Sequence, residues 1–164
     1  MSHTHQSPTK PYEADAPHAR LQALVGSYTG PTRTFMEPYS PNDESSWTVE
    51  IVSVLGGRFV ELDYASTIMG GPHAGRLLLG HHNGAFQAVW TDSFHTGTDA
   101  IVFAETPGRE GEIAFNGSYT YEGQRFGWRI HIRQPDADHV EIDHVNIMPD
   151  GEFPAIETRL ARNQ

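Results

Sequence analysis

This 164-residue chain carries ten histidines and 21 acidic residues but no cysteine. Acid–base and metal chemistry are therefore the first questions it raises. His144 and Asp92 are the candidate pair. A neutral imidazole and a carboxylate facing one dry cavity can move a proton, the chemistry of a small isomerase or hydrolase. Strand parity sets both inward, on roughly opposite walls. They are thus expected to touch one ligand rather than each other. Metal chemistry reads weakly. His81 and His82 are adjacent and point to opposite faces of a strand, so they do not share an ion. His95 sits in the loop beside Asp92, and His131 and His139 are scattered along the chain. His3 and His5 would take only adventitious copper or nickel. No metal site is expected. Gly-rich phosphate loops, Gly-x-Ser-x-Gly and a cysteine nucleophile are all absent.

Composition narrows the classes. Eleven Lys and Arg against 21 Asp and Glu give a formal charge of −10. That argues against nucleic acid or an anionic membrane as partner. No apolar run approaches the roughly 20 residues of a membrane helix, and Met1–Gln6 has none of the character of a signal peptide. A cytoplasmic protein is expected. Residues 1–14 are polar and broken by proline, which predicts a flexible tail. Residues 15–164 read as a single domain, opened by a short helix over 16–24 with Asp15 as N-cap and Pro17 in its first turn.

Ten short alternating segments follow, at about 27–36, 47–55, 58–69, 74–82, 85–92, 98–105, 112–121, 124–133, 139–148 and 153–161, bounded by Gly, Pro, Asn or Asp. Tight turns fix their pairing. Gly56-Gly57 sets Ile51 against Leu62, Val49 against Tyr64 and Trp47 against Ser66. Asn83-Gly84 sets His81 against Phe86, Leu79 against Ala88 and Leu77 against Trp90. Glu122-Gly123 sets Tyr119 against Phe126, Gly117 against Trp128 and Phe115 against Ile130. A three-residue loop, Asp150 to Glu152, sets Asn146 against Ile156 and His144 against Thr158. Apolar sets meet apolar sets throughout. Arg129, His131 and Arg133 face outward beside Glu141 and Asp143, with Arg159 opposite Asp143. The fold class is all-β, a ten-stranded antiparallel up-and-down barrel with one short N-terminal helix.

Several of these residues resemble a known bacterial family. Leu21-Gln22-Ala23-Leu24-Val25-Gly26-Ser27-Tyr28-Thr29-Gly30 is similar to its entry motif, Leu-x-x-Leu-Val-Gly-x-Trp-x-Gly, with Tyr28 in place of the tryptophan. Leu55-Gly56-Gly57-Arg58-Phe59-Val60, Trp90-Thr91-Asp92 and Pro149-Asp150-Gly151 also match. The chain is identified over about residues 18–162 as a member of domain-of-unknown-function family 1579. That resemblance implies a calycin-like barrel related to lipocalins and nitrobindins. Nitrobindins hold haem iron through a histidine of the last strand. Residues 153–161 contain none, and His144 is the only inward histidine nearby. Haem is therefore a low-ranked alternative, and no cofactor is expected.

A barrel of more than eight strands leaves room for a ligand. The inward apolar set, with Tyr64, Trp90, Asp92, Tyr119, Tyr121, Trp128, His144 and Asn146 among it, has the composition of a site for a small, mainly apolar or aromatic molecule. The helix is expected to close the end bearing Asn83-Gly84. The mouth then lies at 37–46, 70–73 and 94–98, with Asp92 and Tyr121 at the entrance and His144 deeper, held by ligand, water or Thr158. Val52, Val54 and Phe59 form an outward apolar cluster, the expected contact of a homodimer.

Overall fold

The computed structural model describes residues 16–164. The expected tail at 1–14, the Asp15 cap, His3 and His5 lie outside the described residues. Helix α1 covers Ala16–Gln22. Ten strands follow: β1 (Gly26–Glu37), β2 (Ser40–Val54), β3 (Phe59–Ile68), β4 (Gly71–His82), β5 (Ala85–Asp92), β6 (Ile101–Thr106), β7 (Glu112–Tyr121), β8 (Gln124–Asp136), β9 (His139–Met148) and β10 (Gly151–Arg162). Each pairs antiparallel with its neighbours in sequence, and β1 also pairs with β10, closing the barrel.

Turn chemistry and alternation account for the register. Asn83 and Gly84 take φ of 50° and 82°, the left-handed pair that a two-residue hairpin turn needs. The expected partners Leu77 and Trp90, Leu79 and Ala88, and His81 and Phe86 follow. Glu122-Gly123 behaves likewise, pairing Gly117 with Trp128 and Phe115 with Ile130. At Gly56-Gly57 the turn is wider. Leu55–Gly57 forms a 3-10 turn, and pairing resumes at Val54 with Phe59. The register is unchanged, so Ile51 still meets Leu62 and Val49 meets Tyr64. Trp47, Trp90 and Trp128 are all buried.

Three connections depart from the sequence reading. The loop expected at 37–46 is mostly strand. Glu37 pairs with Ser40 around Pro38-Tyr39, and β2 begins at Ser40. A polar, proline-containing run reads as loop, but a ladder partner along its length overrides that preference. Strand β4 starts at Gly71, because Met69-Gly70 is itself a two-residue turn with φ of 51° and 79°. Between β9 and β10 the turn is Pro149-Asp150, with Met148 paired to Gly151. Proline's fixed φ suits the turn and its missing N–H does not suit the ladder, so Pro149 rather than Gly151 takes the corner. A register shift between Pro154 and Ile156 adds a residue. His144 therefore faces Ile156, and Asn146 faces Phe153. Beyond the shift the slip from the expected pairing is two residues, so His144 and Thr158 keep their face; before it the slip is three, and Phe153 rather than Pro154 shares the inward face of Asn146.

Outside, charges alternate as expected. Arg133 pairs across to Glu141 and His131 to Asp143. Arg159 faces Glu141 but reaches diagonally to Asp143, with Nη1 2.7 Å from Oδ1. Val52 is 40% exposed and Val54 and Phe59 are half-buried. Helix α1 caps one end. Leu21 and Leu24 are buried, Gln22 Nε2 donates to the Gly57 carbonyl, and Gln134 Nε2 donates to Ala23. Among the described residues no helix is long and apolar enough to cross a membrane.

Candidate functional site

Strand parity turns Tyr64 of β3, His73 of β4 and Asp92 of β5 inward near the end opposite the helix. All three are buried. Asp92 is the last residue of β5, and the chain folds back over it. The Phe94 and His95 amides donate to Asp92 Oδ1 at 2.8 and 2.7 Å. Thr96 and Gly97 donate to its carbonyl. That turn swings the His95 ring inward, with Nδ1 3.0 Å from Asp92 Oδ1. From the other side, His73 Nε2 lies 2.7 Å from Oδ2, and the Tyr64 hydroxyl donates to the same oxygen. Trp90 Nε1 donates to that hydroxyl at 3.0 Å. The result is a chain from Trp90 to Tyr64 to Asp92, with an imidazole on each carboxylate oxygen.

Electrostatics follow from this packing. Burial pushes the Asp92 carboxyl up, but the bonds from His73, His95 and Tyr64 outweigh it and hold the group well below the ordinary carboxylate range. It is an anion at neutral pH. The Tyr64 phenol moves the opposite way, raised first by burial and then by the Asp92 charge. Two buried atoms nearby have no hydrogen-bond partner: His73 Nδ1, and Nε1 of Trp47, whose ring stacks on Tyr64 at 3.8 Å.

His144 lies elsewhere. It is fully buried at mid-barrel, and its Nδ1 accepts from Trp128 Nε1 at 2.9 Å. Thr158 instead shares its hydroxyl with Thr32. Burial and the neighbouring His95 push the His144 imidazole down to about 3, so it is neutral at physiological pH. Asp92 is not among its hydrogen-bond partners. The Trp90 ring, 4.8 Å from His144 and 5.3 Å from Trp128, occupies the centre that the sequence reading left open for a ligand.

The remaining expected residues are placed as follows. Tyr119 donates to Asn146 Oδ1 at 2.7 Å. Tyr121, at the end of β7, is 62% exposed and is not among the residues lining the pocket at the mouth. At the mouth a pocket of ≈ 180 Å³ is walled by Phe35, Phe94, Met148 and Phe153, with His95, Trp128 and Asn146 among its lining. Of the eight expected ligand contacts, Trp128 and Asn146 reach this pocket. Sequence reasoning missed His73 and His95 as site residues. A signal for His73 was available: two-residue steps back from the inward Leu77 pass through Gly75 to His73. For His95 no periodic signal exists, because it lies in a loop.

Gly75 matters to this arrangement. A Cβ at that position would fall 2.0 Å from the Tyr64 hydroxyl. Gly75→Ala is expected to displace the Tyr64 ring and cost about 1–3 kcal/mol, the usual range for overpacking. Urea unfolding gives the cost, and near-UV circular dichroism reads the lost Trp47–Tyr64 stack. An unchanged spectrum would show that the ring is not held against Gly75.

The sequence matches the family described as "Protein of unknown function (DUF1579)" over residues 13–162. No curated protein matches it. Among solved structures, Rv2717c from M. tuberculosis is similar with a TM-score of 0.62 at 16% identity, covering 93% of this chain and 100% of its own. The S-type phycobiliprotein lyase CPES from Guillardia theta is similar with a TM-score of 0.55 at 11% identity, covering 92% and 94%. Both share the calycin-like barrel, and at these identities the likeness is one of fold.

Proposed function

This chain belongs to the DUF1579 family, and from its barrel we propose that it binds a small, mainly apolar or aromatic molecule at the mouth. The observation that carries this reading is the ≈ 180 Å³ pocket there, with aromatic and thioether walls and Glu37, His95 and Asn146 among its lining. A largely apolar wall with a few convergent polar groups is the usual composition of a ligand site. The volume suits one aromatic ring or a fused pair; an apolar cavity of about 150 Å³ accommodates benzene. His95 and Asn146 are the groups available to orient a hydroxyl or amide on such a ring.

Haem and other tetrapyrroles fit this chain poorly. β10 carries no histidine, and His144 already has Nδ1 bonded to Trp128 and is enclosed by Trp90. Sites for larger ligands run to about 300 Å³ and above. An acid–base role for His144 with Asp92 draws no support from the geometry, since the aromatic centre lies against His144 and Asp92 bonds elsewhere.

Phenol and indole are suitable probes. Ligands of this size should bind with Kd between about 10 µM and 1 mM. Titration should move the side-chain resonances of His95, Trp128 and Asn146 while leaving those of Tyr121 in place. Saturating probe without movement at the first three would refute the reading.

A further inference from the structure

We propose that His73, Asp92 and His95 form a binding site for one divalent transition-metal ion of the zinc class, which shares His95 with the mouth pocket but rests on other observations. One ligand atom from each of the three residues lies within 4.8 Å of the others. His73 Nε2 is 2.7 Å and His95 Nδ1 3.0 Å from the carboxylate oxygens of Asp92. Two ligand atoms of a tetrahedral zinc centre, each about 2.0–2.1 Å from the metal, are roughly 3.3 Å apart. An ion therefore needs each ring nitrogen to draw slightly away from Asp92 and the widest separation, up to 4.8 Å, to close toward roughly 3.3 Å. Two imidazoles and a carboxylate select a borderline cation such as Zn²⁺ or Co²⁺ over Ca²⁺ or Mg²⁺, which favour all-oxygen sites.

The surroundings are those of a prepared site. Asp92 Oδ1 is held by the Phe94 and His95 amides, bonds that an incoming ion leaves intact. Such outer hydrogen bonds orient a ligating carboxylate. His73 Nδ1 is buried without a partner. When Nε2 becomes a ligand it exchanges its hydrogen bond to Asp92 for the metal, and its proton moves to Nδ1, which has no bond to lose. His73 and Asp92 stand on β4 and β5, two paired strands, and the β5–β6 turn pins His95. Three protein ligands leave a position open for water or a small anion, the pattern of reactive rather than closed structural zinc sites.

Zn²⁺ calorimetry and Co²⁺ visible absorption test this on the full-length chain carrying His3→Ala and His5→Ala, which removes the N-terminal pair. The expected result is one equivalent of Zn²⁺ per chain and a d–d band with Co²⁺. His73→Ala and His95→Ala should each weaken Zn²⁺ by more than about 100-fold, beyond the loss caused by removing an outer-shell partner. His139→Ala, on the surface beside Asp136, should leave it unchanged. His95→Gln, in the half-buried loop position, serves should His73→Ala fail to fold. Absence of one-to-one binding in the parent chain would overturn the proposal. So would binding that the His95 variants leave within about twofold.

Discussion

A His144→Phe variant is expected to be the less stable protein at pH 8 and the more stable one at pH 4. The imidazole is buried and held neutral, pushed down to about 3 from its ordinary 6.5. Below pH 6.5 the unfolded chain takes up a proton there that the folded chain does not. Stability therefore rises with pH between about 3 and 6.5 and falls as the solution is acidified through that window. At pH 4 the deficit is about 3 kcal/mol, and phenylalanine at position 144 is free of it. At pH 8 the histidine is neutral in both states and the balance reverses. Phenylalanine leaves Trp128 Nε1 without its acceptor in a buried position, at a cost of about 1–3 kcal/mol. The two stability curves should cross near pH 5. Urea unfolding at half-unit pH steps measures this. Parallel curves would mean that His144 charges inside the barrel at ordinary acidity, and would refute its assignment as a neutral, structural acceptor.

Replacing Asp92 should cost still more at neutral pH. In Asp92→Asn the amide nitrogen takes the place of one carboxylate oxygen. If it sits at the Oδ2 position, it faces the Tyr64 hydroxyl and His73 Nε2, both donors. If flipped, it faces two backbone amides and His95. Either way buried donors lose their acceptor. Breaking a buried charged network in this manner costs about 3–5 kcal/mol. The pH sign is opposite in origin to that of a raised group. The folded carboxyl is depressed below its unfolded value, so its contribution is complete above about pH 5 and is lost as pH falls through the unfolded value near 3.9 and below. The Asn variant should lack this acid limb. Equilibrium unfolding at pH 7 and at pH 3.5, with parent and variant compared, gives both quantities. A loss under about 1 kcal/mol at pH 7 would show that water replaces the carboxylate's bonds and that the cluster is loosely built.

Reading inward and outward faces from the sequence succeeded because the information is local. Asn83-Gly84 and Glu122-Gly123 each demand positive φ at two successive residues, and that demand sets a register before any distant contact forms. Alternation then carries the assignment along each strand, which is why Trp47, Trp90 and Trp128 were legible as buried. The β9–β10 hairpin shows how robust this is. Its turn and its register shift both differ from expectation, yet the two-residue slip left His144 and Thr158 facing inward.

The candidate site was legible only in part. Asp92 and Tyr64 follow from parity alone. His73 was hidden by a strand start placed three residues late, at 74 rather than Gly71, because Gly70-Gly71-Pro72 reads as loop. His95 has no period to follow: its direction comes from hydrogen bonds of its own turn to Asp92. Nor does spacing tell how full a barrel is. Trp90 and Trp128 stack inside it, 5.3 Å apart, and the pocket that Trp128 lines with His95 and Asn146 lies at the mouth. By itself the sequence determined the strand count and order, and the register and side-chain faces around its two-residue glycine turns, since φ preferences and alternation act between near neighbours. Only the tertiary structure decided which inward groups meet, since His73, Asp92 and His95 come together through the curvature of paired strands and the fold-back of one loop, neither of which is written in any local pattern.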